Sequence, residues 1–197
     1  MRRLAPTLAL LAAGVAMAAS PALADAPAAA APMAMTASPP PPAARATVDL
    51  KDATGASIGA ATLVDAPHGV LLRVTVKGLA PGWHGLHFHE KGLCTVPDFK
   101  SAGGHVHGAA GAVHGLLNPA ATETGDLPNL YVAADGAGAA EFYSALVSLK
   151  GAEGRPALLD ADGSALVIHA NPDDHVSQPI GGAGPRAACG VITAGQG

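Results

Sequence analysis

The chain has 197 residues, which is enough for one domain with a single hydrophobic core and some additional sequence. Eleven basic and fifteen acidic residues give a formal net charge of −4, which becomes −6 without Arg2 and Arg3. This acidic balance argues against nucleic-acid binding, which calls for basic patches, and it means that an anionic substrate has to be attracted by a local field.

The first 24 residues have the pattern of a secretory signal peptide. Arg2 and Arg3 form a basic start, residues 8–19 are apolar, and small residues precede a cleavage position after Ala24. The apolar run is shorter than the roughly 18–20 residues that a membrane-spanning helix needs. We therefore expect export to the periplasm and no membrane attachment after the signal is removed.

Residues 25–45 consist almost entirely of alanine, proline and methionine. A segment of this composition has no periodic apolar face and cannot bury enough surface to offset its ordering entropy. The sequence therefore predicts a disordered, semi-rigid tether over 25–45 and one folded domain over 46–197.

The dominant periodicity of that domain is two residues, which is typical of half-buried antiparallel strands. In the segment 70–77, Val70, Leu72, Val74 and Val76 share one face. Similar short segments, separated by turn residues, predict eight strands in all, at 46–50, 57–65, 70–77, 84–89, 129–134, 139–149, 165–169 and 187–193. The pattern predicts an all-β Greek-key sandwich or flattened eight-stranded barrel.

Two long segments interrupt the strands, at 90–128 and 170–186. They are rich in glycine, proline, histidine and aspartate, and loops of this length in a compact domain are usually functional or disordered. Because they contain or border most of the nine histidines, we interpret them as functional loops.

The histidines are placed as metal ligands would be. His87 and His89 are two residues apart on a predicted strand, so both project from one face. Further candidates follow along the chain at His105, His107, His114, Asp126 and His169. Imidazoles without a thiolate suit copper or zinc, and the His-Glu-x-x-His signature of many zinc hydrolases does not occur in the sequence.

The only two cysteines are Cys94 and Cys189. In an exported chain, two cysteines predict one disulfide. It would close a loop of nearly a hundred residues and stabilise the fold by about 4–5 kcal/mol in the chain-entropy model.

The chain resembles the copper/zinc superoxide dismutases, and among them the exported bacterial branch. The resemblance covers residues 46–195 and is carried by motifs in family order at 84–90, 99–105, 114–119, 125–130, 166–170, 173–174, 177–179 and 181–192. It implies the same all-β fold that the periodicity predicts.

The resemblance also implies a role for each matching residue. Copper would be bound by His87, His89, His105 and His169, and zinc by His105, His114 and Asp126. Asp173 would link His87 to His114, and Arg186 would pair with the superoxide anion above the copper. The two cysteines would form the disulfide between the first long loop and the last strand. Lys91 and Lys100 are expected to add to the local attraction for an anion.

The chain departs from the family at the zinc site. The position of the usual third zinc histidine is occupied by Glu123, and the residue two after the bridging histidine is His107 where the family usually has asparagine. Three interpretations follow: Glu123 binds zinc directly, since carboxylate oxygen is an acceptable zinc ligand; His107 replaces the missing ligand; or the site holds zinc weakly or not at all.

The resemblance implies one copper and one zinc per chain and a redox cycle that converts superoxide into oxygen and hydrogen peroxide. The alternative is a non-catalytic periplasmic protein that binds or buffers copper on the same fold. The sequence leaves open whether the protein is a monomer or a homodimer.

Overall fold

The computed structural model describes residues 43–108 and 111–195. The expected signal peptide, 1–24, and most of the expected tether, 25–45, lie outside the described residues. Within the described part of the chain, no helix has the length and apolar character needed to cross a membrane.

The described residues form one antiparallel sheet of ten strands and a short 3-10 helix at Lys100–Ala102. The strands are β1 (Arg45–Asp52), β2 (Ser57–Ala66), β3 (Gly69–Lys77), β4 (Gly82–His84), β5 (Leu86–His89), β6 (Leu130–Val132), β7 (Ala137–Ser144), β8 (Ala165–His169), β9 (Arg186–Val191) and β10 (Thr193–Ala194).

The sheet closes on itself almost completely. Its strand order is β4-β6-β7-β3-β2-β1-β9-β8-β5, with β10 paired to β1. The two outermost strands, β4 and β5, are joined by Gly85 alone, so the two edges of the sheet have to lie side by side. The connection from β3 to β4 crosses two strand positions, as in a Greek key. The predicted all-β, flattened-barrel fold is confirmed.

The alternation of apolar and polar residues in the sequence matches the alternation of buried and exposed side chains in the strands. In β3, the side chains of Val70, Leu72, Val74 and Val76 are buried, and the alternate residues from Arg73 to Lys77 are exposed. These residues belong to one large core that also includes Leu50, Phe88 and Leu166 and fills the interior of the barrel. The buried apolar surface stabilises the rigid frame on which the loops are mounted.

The strand boundaries differ from the prediction in two ways. Ten strands replace eight because Gly85 divides the predicted strand 84–89, and Ile192 divides the predicted strand 187–193. The predicted strand 139–149 ends at Ser144. Beyond it the chain leaves the sheet, but Val147 and Leu149 remain fully buried, so their apolar spacing reflects burial rather than strand pairing.

Candidate metal centre

Strand β5 provides the first two candidate ligands. All four of its residues are buried, and it pairs with β8 on one side only, at the end of the sheet order. His87 and His89 project from the same face of the strand, because successive side chains alternate. The other side of β5 is free to pair with a segment outside the sheet.

The first long loop occupies that free edge. The amide of Phe88 donates to Gly125 O (2.8 Å), and the amide of Val106 donates to Phe88 O (2.8 Å). A Cβ on Gly125 would lie 2.4 Å from Phe88 O, so this close approach requires glycine. The pairing brings His105 opposite His89 and Asp126 opposite His87.

The last candidate copper ligand comes from the end of β8. His169 pairs with Arg186 on β9, after an irregularity between Ile168 and His169. Its amide donates to Gly85 O (2.8 Å). The rigid ends of two strands thus hold the imidazole and the guanidinium at the same end of the barrel.

The structure brings four imidazoles together in what we name the four-imidazole cluster: His87, His89, His105 and His169. One ring nitrogen from each lies within 4.8 Å of the others. In the described residues, four buried nitrogens that lack a hydrogen-bond partner belong to these rings: His87 Nδ1, His89 Nε2, His105 Nε2 and His169 Nε2. Buried imidazole nitrogens without partners are what a metal-binding site provides, and the donor set suits copper.

The second nitrogen of each ring is held by the protein. His89 Nδ1 lies 3.0 Å from Gly103 O, and His169 Nδ1 lies 3.0 Å from Gly184 O. His87 Nε2 lies 2.8 Å from Asp173 Oδ2. Such contacts fix the tautomer and orientation of an imidazole, so the unpartnered nitrogen carries the lone pair.

Three of these imidazoles are held in the neutral form. Burial lowers the pKa of His87 to about 4, despite its contact with Asp173. Burial and the neighbouring His87 lower the pKa of His169 to about 3. Burial and the neighbouring His105 keep the pKa of His89 well below its usual value. Neutral imidazole is the form that binds metal, so these three rings are ready to bind at neutral pH.

A second group, which we name the carboxylate cluster, adjoins the first at His105: His105, His114, Glu123 and Asp126. His105 Nδ1 lies 2.8 Å from Glu123 Oε2 and 3.0 Å from Asp126 Oδ1. His114 Nδ1 lies 3.2 Å and 2.9 Å from the same two oxygens. Two imidazole nitrogens and two carboxylate oxygens therefore face one point, and this donor set is one that zinc accepts.

The carboxylate cluster stabilises the protonated form of an imidazole, whereas the four-imidazole cluster holds three of its rings in the neutral form. Burial opposes the charged form of His114, but hydrogen bonds with Asp126, Asp173 and Glu123 outweigh it and raise its pKa to about 11. Likewise, hydrogen bonds with His105 and His114 outweigh burial and lower the pKa of Asp126. In the metal-free protein this cluster holds protons that a cation has to displace.

Asp173 connects the two clusters. Its Oδ2 contacts His87 Nε2, and its Oδ1 contacts His114 Nε2 at 3.1 Å. The side chain of Asn129 brackets the backbone of Asp173, accepting from its amide (2.9 Å) and donating to its carbonyl (2.8 Å). The second long loop is thereby tied to the first, and one carboxylate orients a ring in each cluster.

Arg186 stands beside the four-imidazole cluster at a cavity of about 730 Å³. Its guanidinium donates to the carbonyl oxygens of Phe99 and Gly103. The cavity is also lined by His89, His105, His169 and Lys100. Lys91, expected near this channel, instead pairs with Asp162 (3.7 Å) and does not line the cavity.

Cys94 and Cys189 form a disulfide. It joins the loop after β5 to β9, and Phe99 packs in the same buried group as both cysteines. Because the carbonyl of Phe99 accepts from Arg186, the disulfide fastens the segment that positions the guanidinium.

His107, the alternative zinc ligand, is turned elsewhere. Its Nδ1 lies 2.8 Å from His105 O and 3.8 Å from Glu90 Oε2. Neither His107 nor Glu123 belongs to the two groups whose ligand atoms all lie within 4.8 Å of one another, but Glu123 Oε2 contacts the Nδ1 atoms of both His105 and His114.

The sequence reasoning missed the backbone acceptors of the site and the roles of Asn129 and Gln178. The amide of His114 donates to Gln178 Oε1 (3.0 Å), and Gln178 Nε2 donates to His114 O (2.8 Å). The position of Gln178 in a motif was a signal, but the carbonyls of Gly103 and Gly184 carry none, since every residue has one.

The sequence model of the family described as copper/zinc superoxide dismutase (SODC) matches residues 57–192. The chain belongs to this family. The resemblance seen in the sequence is therefore confirmed.

Among curated relatives of this copper/zinc superoxide dismutase chain, a "Superoxide dismutase [Cu-Zn]" of Caulobacter vibrioides is 69% identical over 147 residues, covering 75% of this chain and 84% of the relative. A second, "Superoxide dismutase [Cu-Zn] 2" of Aquifex aeolicus, is 43% identical and covers 75% and 86%.

Two solved structures share the fold. The SOD-like protein from Bacillus subtilis gives a TM-score of 0.69 at 37% identity, covering 74% of this chain and 96% of that one. The Cu/Zn superoxide dismutase from Brucella abortus gives a TM-score of 0.60 at 28% identity, covering 75% and 99%.

Proposed function

We propose that the protein is a superoxide dismutase that converts two superoxide ions and two protons into oxygen and hydrogen peroxide. Membership of the family and the curated relatives named superoxide dismutase support this function. The single observation that carries it in the structure is the four-imidazole cluster, whose unpartnered nitrogens meet beside a charged guanidinium in an open cavity.

His87, His89, His105 and His169 would hold copper, and His105, His114 and Asp126 would hold zinc. When bound there, copper would supply one-electron redox chemistry. The anchored second nitrogens keep the rings in place throughout, so little reorganisation accompanies the change of charge.

Arg186 attracts and orients the anion. The chain as a whole is acidic, so the attraction has to be local, and the guanidinium on the cavity wall provides it. Lys100 lines the same cavity but pairs with Asp98 (3.0 Å). Two backbone carbonyls fix the guanidinium, which limits the entropy lost when an anion binds.

His105 is the ring best placed to hold and deliver a proton. It lines the cavity, its Nε2 faces the four-imidazole cluster, and its Nδ1 is held between two carboxylates. A proton on Nε2 would therefore lie within reach of a reduced substrate in the cavity.

We also propose export to the periplasm, with residues 1–24 as the signal peptide, 25–45 as a tether and 46–197 as the enzyme domain. The disulfide supports an oxidising compartment. The enzyme would act as a monomer or homodimer, which size measurements in solution distinguish.

The test is a superoxide consumption assay on the purified chain, with and without copper and zinc. Rapid consumption that depends on copper supports the enzyme. Stoichiometric copper binding without consumption would instead establish the non-catalytic copper-binding protein, which no observation here favours.

A further inference from the structure

We propose that Glu123 is the fourth ligand of the second metal site, which makes it a two-imidazole, two-carboxylate site for a tetrahedral divalent cation such as Zn²⁺ or Co²⁺. This inference deepens the proposed function and rests on it only for the assignment of His105 as the shared ring. The family usually has histidine at this position, so the family pattern does not predict a glutamate ligand. The assignment is argued from the contacts of Glu123 in this chain.

The four nitrogen–oxygen distances are compatible with a tetrahedral site. With zinc bonds of about 2.0–2.1 Å, neighbouring ligand atoms of a tetrahedron lie roughly 3.3 Å apart. Glu123 Oε2 lies 2.8 Å from His105 Nδ1 and 3.2 Å from His114 Nδ1. Asp126 Oδ1 lies 3.0 Å and 2.9 Å from the same nitrogens. Glu123 is therefore placed relative to both rings as Asp126 is.

Two of the other three residues of this set are held by a further contact with the protein. The second nitrogen of His114 is held by Asp173 (3.1 Å), and the second oxygen of Asp126 accepts from the amide of Gly115 (2.7 Å). His114 and Asp126 are thus oriented without Glu123, whose Oε2 contacts the Nδ1 atoms of both rings.

The two other candidates for the fourth ligand are engaged elsewhere. The group whose ligand atoms all lie within 4.8 Å of one another combines His105, His114 and Asp126 with His87 and does not include Glu123. However, His87 Nε2 is held by Asp173, and its Nδ1 faces the four-imidazole cluster. His107 Nδ1 lies against the carbonyl of His105.

Glu123 is also the exposed member of the set. Its side chain is 13% exposed, against 2% for Asp126 and 0% for His114, and it lines the substrate cavity. A second carboxylate adds one negative charge to the donor set compared with a third imidazole, which strengthens the attraction for a divalent cation. It also gives the cation a solvent-facing ligand.

The experiment is a Co²⁺ titration of the metal-depleted full chain, followed in the visible spectrum, with Zn²⁺ affinity from chelator competition. In Glu123→Ala we expect Zn²⁺ affinity to fall at least about tenfold, since even the loss of an outer partner costs 10–100-fold. The intense absorption of four-coordinate Co²⁺ should weaken or shift. Glu141→Ala, on the exposed face of β7, is the matched control and should change neither readout.

Two further variants keep the outcome decisive. Glu123→His should bind Zn²⁺ within about tenfold of the native chain but shift the Co²⁺ bands, because nitrogen replaces oxygen. His107→Ala should leave both readouts unchanged. Unaltered Co²⁺ and Zn²⁺ binding in Glu123→Ala, an unshifted spectrum in Glu123→His, or a loss in His107→Ala would overturn the assignment. Since none of these readouts uses activity, a failure of the proposed enzyme function would be seen separately.

Discussion

Two groups of imidazoles meet at His105, and different partners hold them. In the four-imidazole cluster, His89 and His169 are held by backbone carbonyls, which are neutral acceptors. In the carboxylate cluster, His114 contacts three carboxylates, from Asp126, Asp173 and Glu123.

The contrast gives the two sites different chemistry. Carbonyl-held, buried rings stay neutral, and neutral imidazole is a ligand that suits copper. Rings among carboxylates carry protons until a divalent cation replaces them. The following experiments test this contrast, in order of decreasing effect.

The largest effect is expected when a ring of the four-imidazole cluster is removed. His169→Ala deletes a proposed copper ligand and should lower copper affinity by more than about 100-fold, beyond the cost of losing an outer partner. Copper competition with a chelator measures this, and superoxide consumption should be lost with it. The control is His68→Ala, because the side chain of His68 is 79% exposed. Copper retention by His169→Ala would contradict the assignment.

Removing the shared carboxylate tests whether one residue serves both clusters. In Asp173→Asn, we expect metal affinity to fall by about 10–100-fold at each cluster, because Asp173 orients both His87 and His114. Copper and zinc contents after dialysis give the result. The neighbouring Asp174 accepts from Val176 and Ser177 and belongs to neither cluster, so Asp174→Asn should retain both metals. A loss confined to one metal would argue against a shared role.

A smaller effect is expected from the guanidinium. Arg186→Gln should lower kcat/KM for superoxide by about tenfold and reduce its dependence on ionic strength, while copper content is unchanged. Stopped-flow kinetics at several salt concentrations measure both quantities. Arg73→Gln removes an exposed arginine that pairs with Glu141 and serves as the control. An equal loss in both variants would mean that charge acts at long range rather than at the cavity.

The smallest expected effect is a difference in the number of protons released when each metal binds. Because the pKa of His114 is raised to about 11, its proton is bound at pH 7.5, and zinc binding should release about one proton from this ring. The apparent zinc affinity should therefore rise by at least about tenfold per pH unit around neutrality, because the pKa of His105 in the same cluster is also raised. His87 and His169, whose pKa values are lowered to about 4 and about 3, should release none when copper binds. Calorimetry in buffers of different ionisation enthalpy measures the count, and zinc affinity that is independent of pH would refute it.

The sequence by itself determined the all-β fold and which residue types serve as candidate metal ligands. Alternating residues such as Val70 and Leu72 fix which face of a strand is buried, and the spacing of His87 and His89 fixes that both project together. These are local properties of a strand, so they can be inferred from neighbouring residues. The ordered motifs then indicated the family and a role for each of their residues.

Only the tertiary structure decided how the loops complete the site. The edge of β5 pairs with Val106 and Gly125, residues 18 or more positions further along the chain, and this pairing sets Asp126 and Glu123 against the same two rings. The acceptors that orient the imidazoles are backbone carbonyls, which every residue has and no sequence pattern distinguishes. The sequence therefore left open whether Glu123 or His107 contacts His105 and His114. Both lie in the same long loop, and only the path of that loop decides which side chain reaches the two rings.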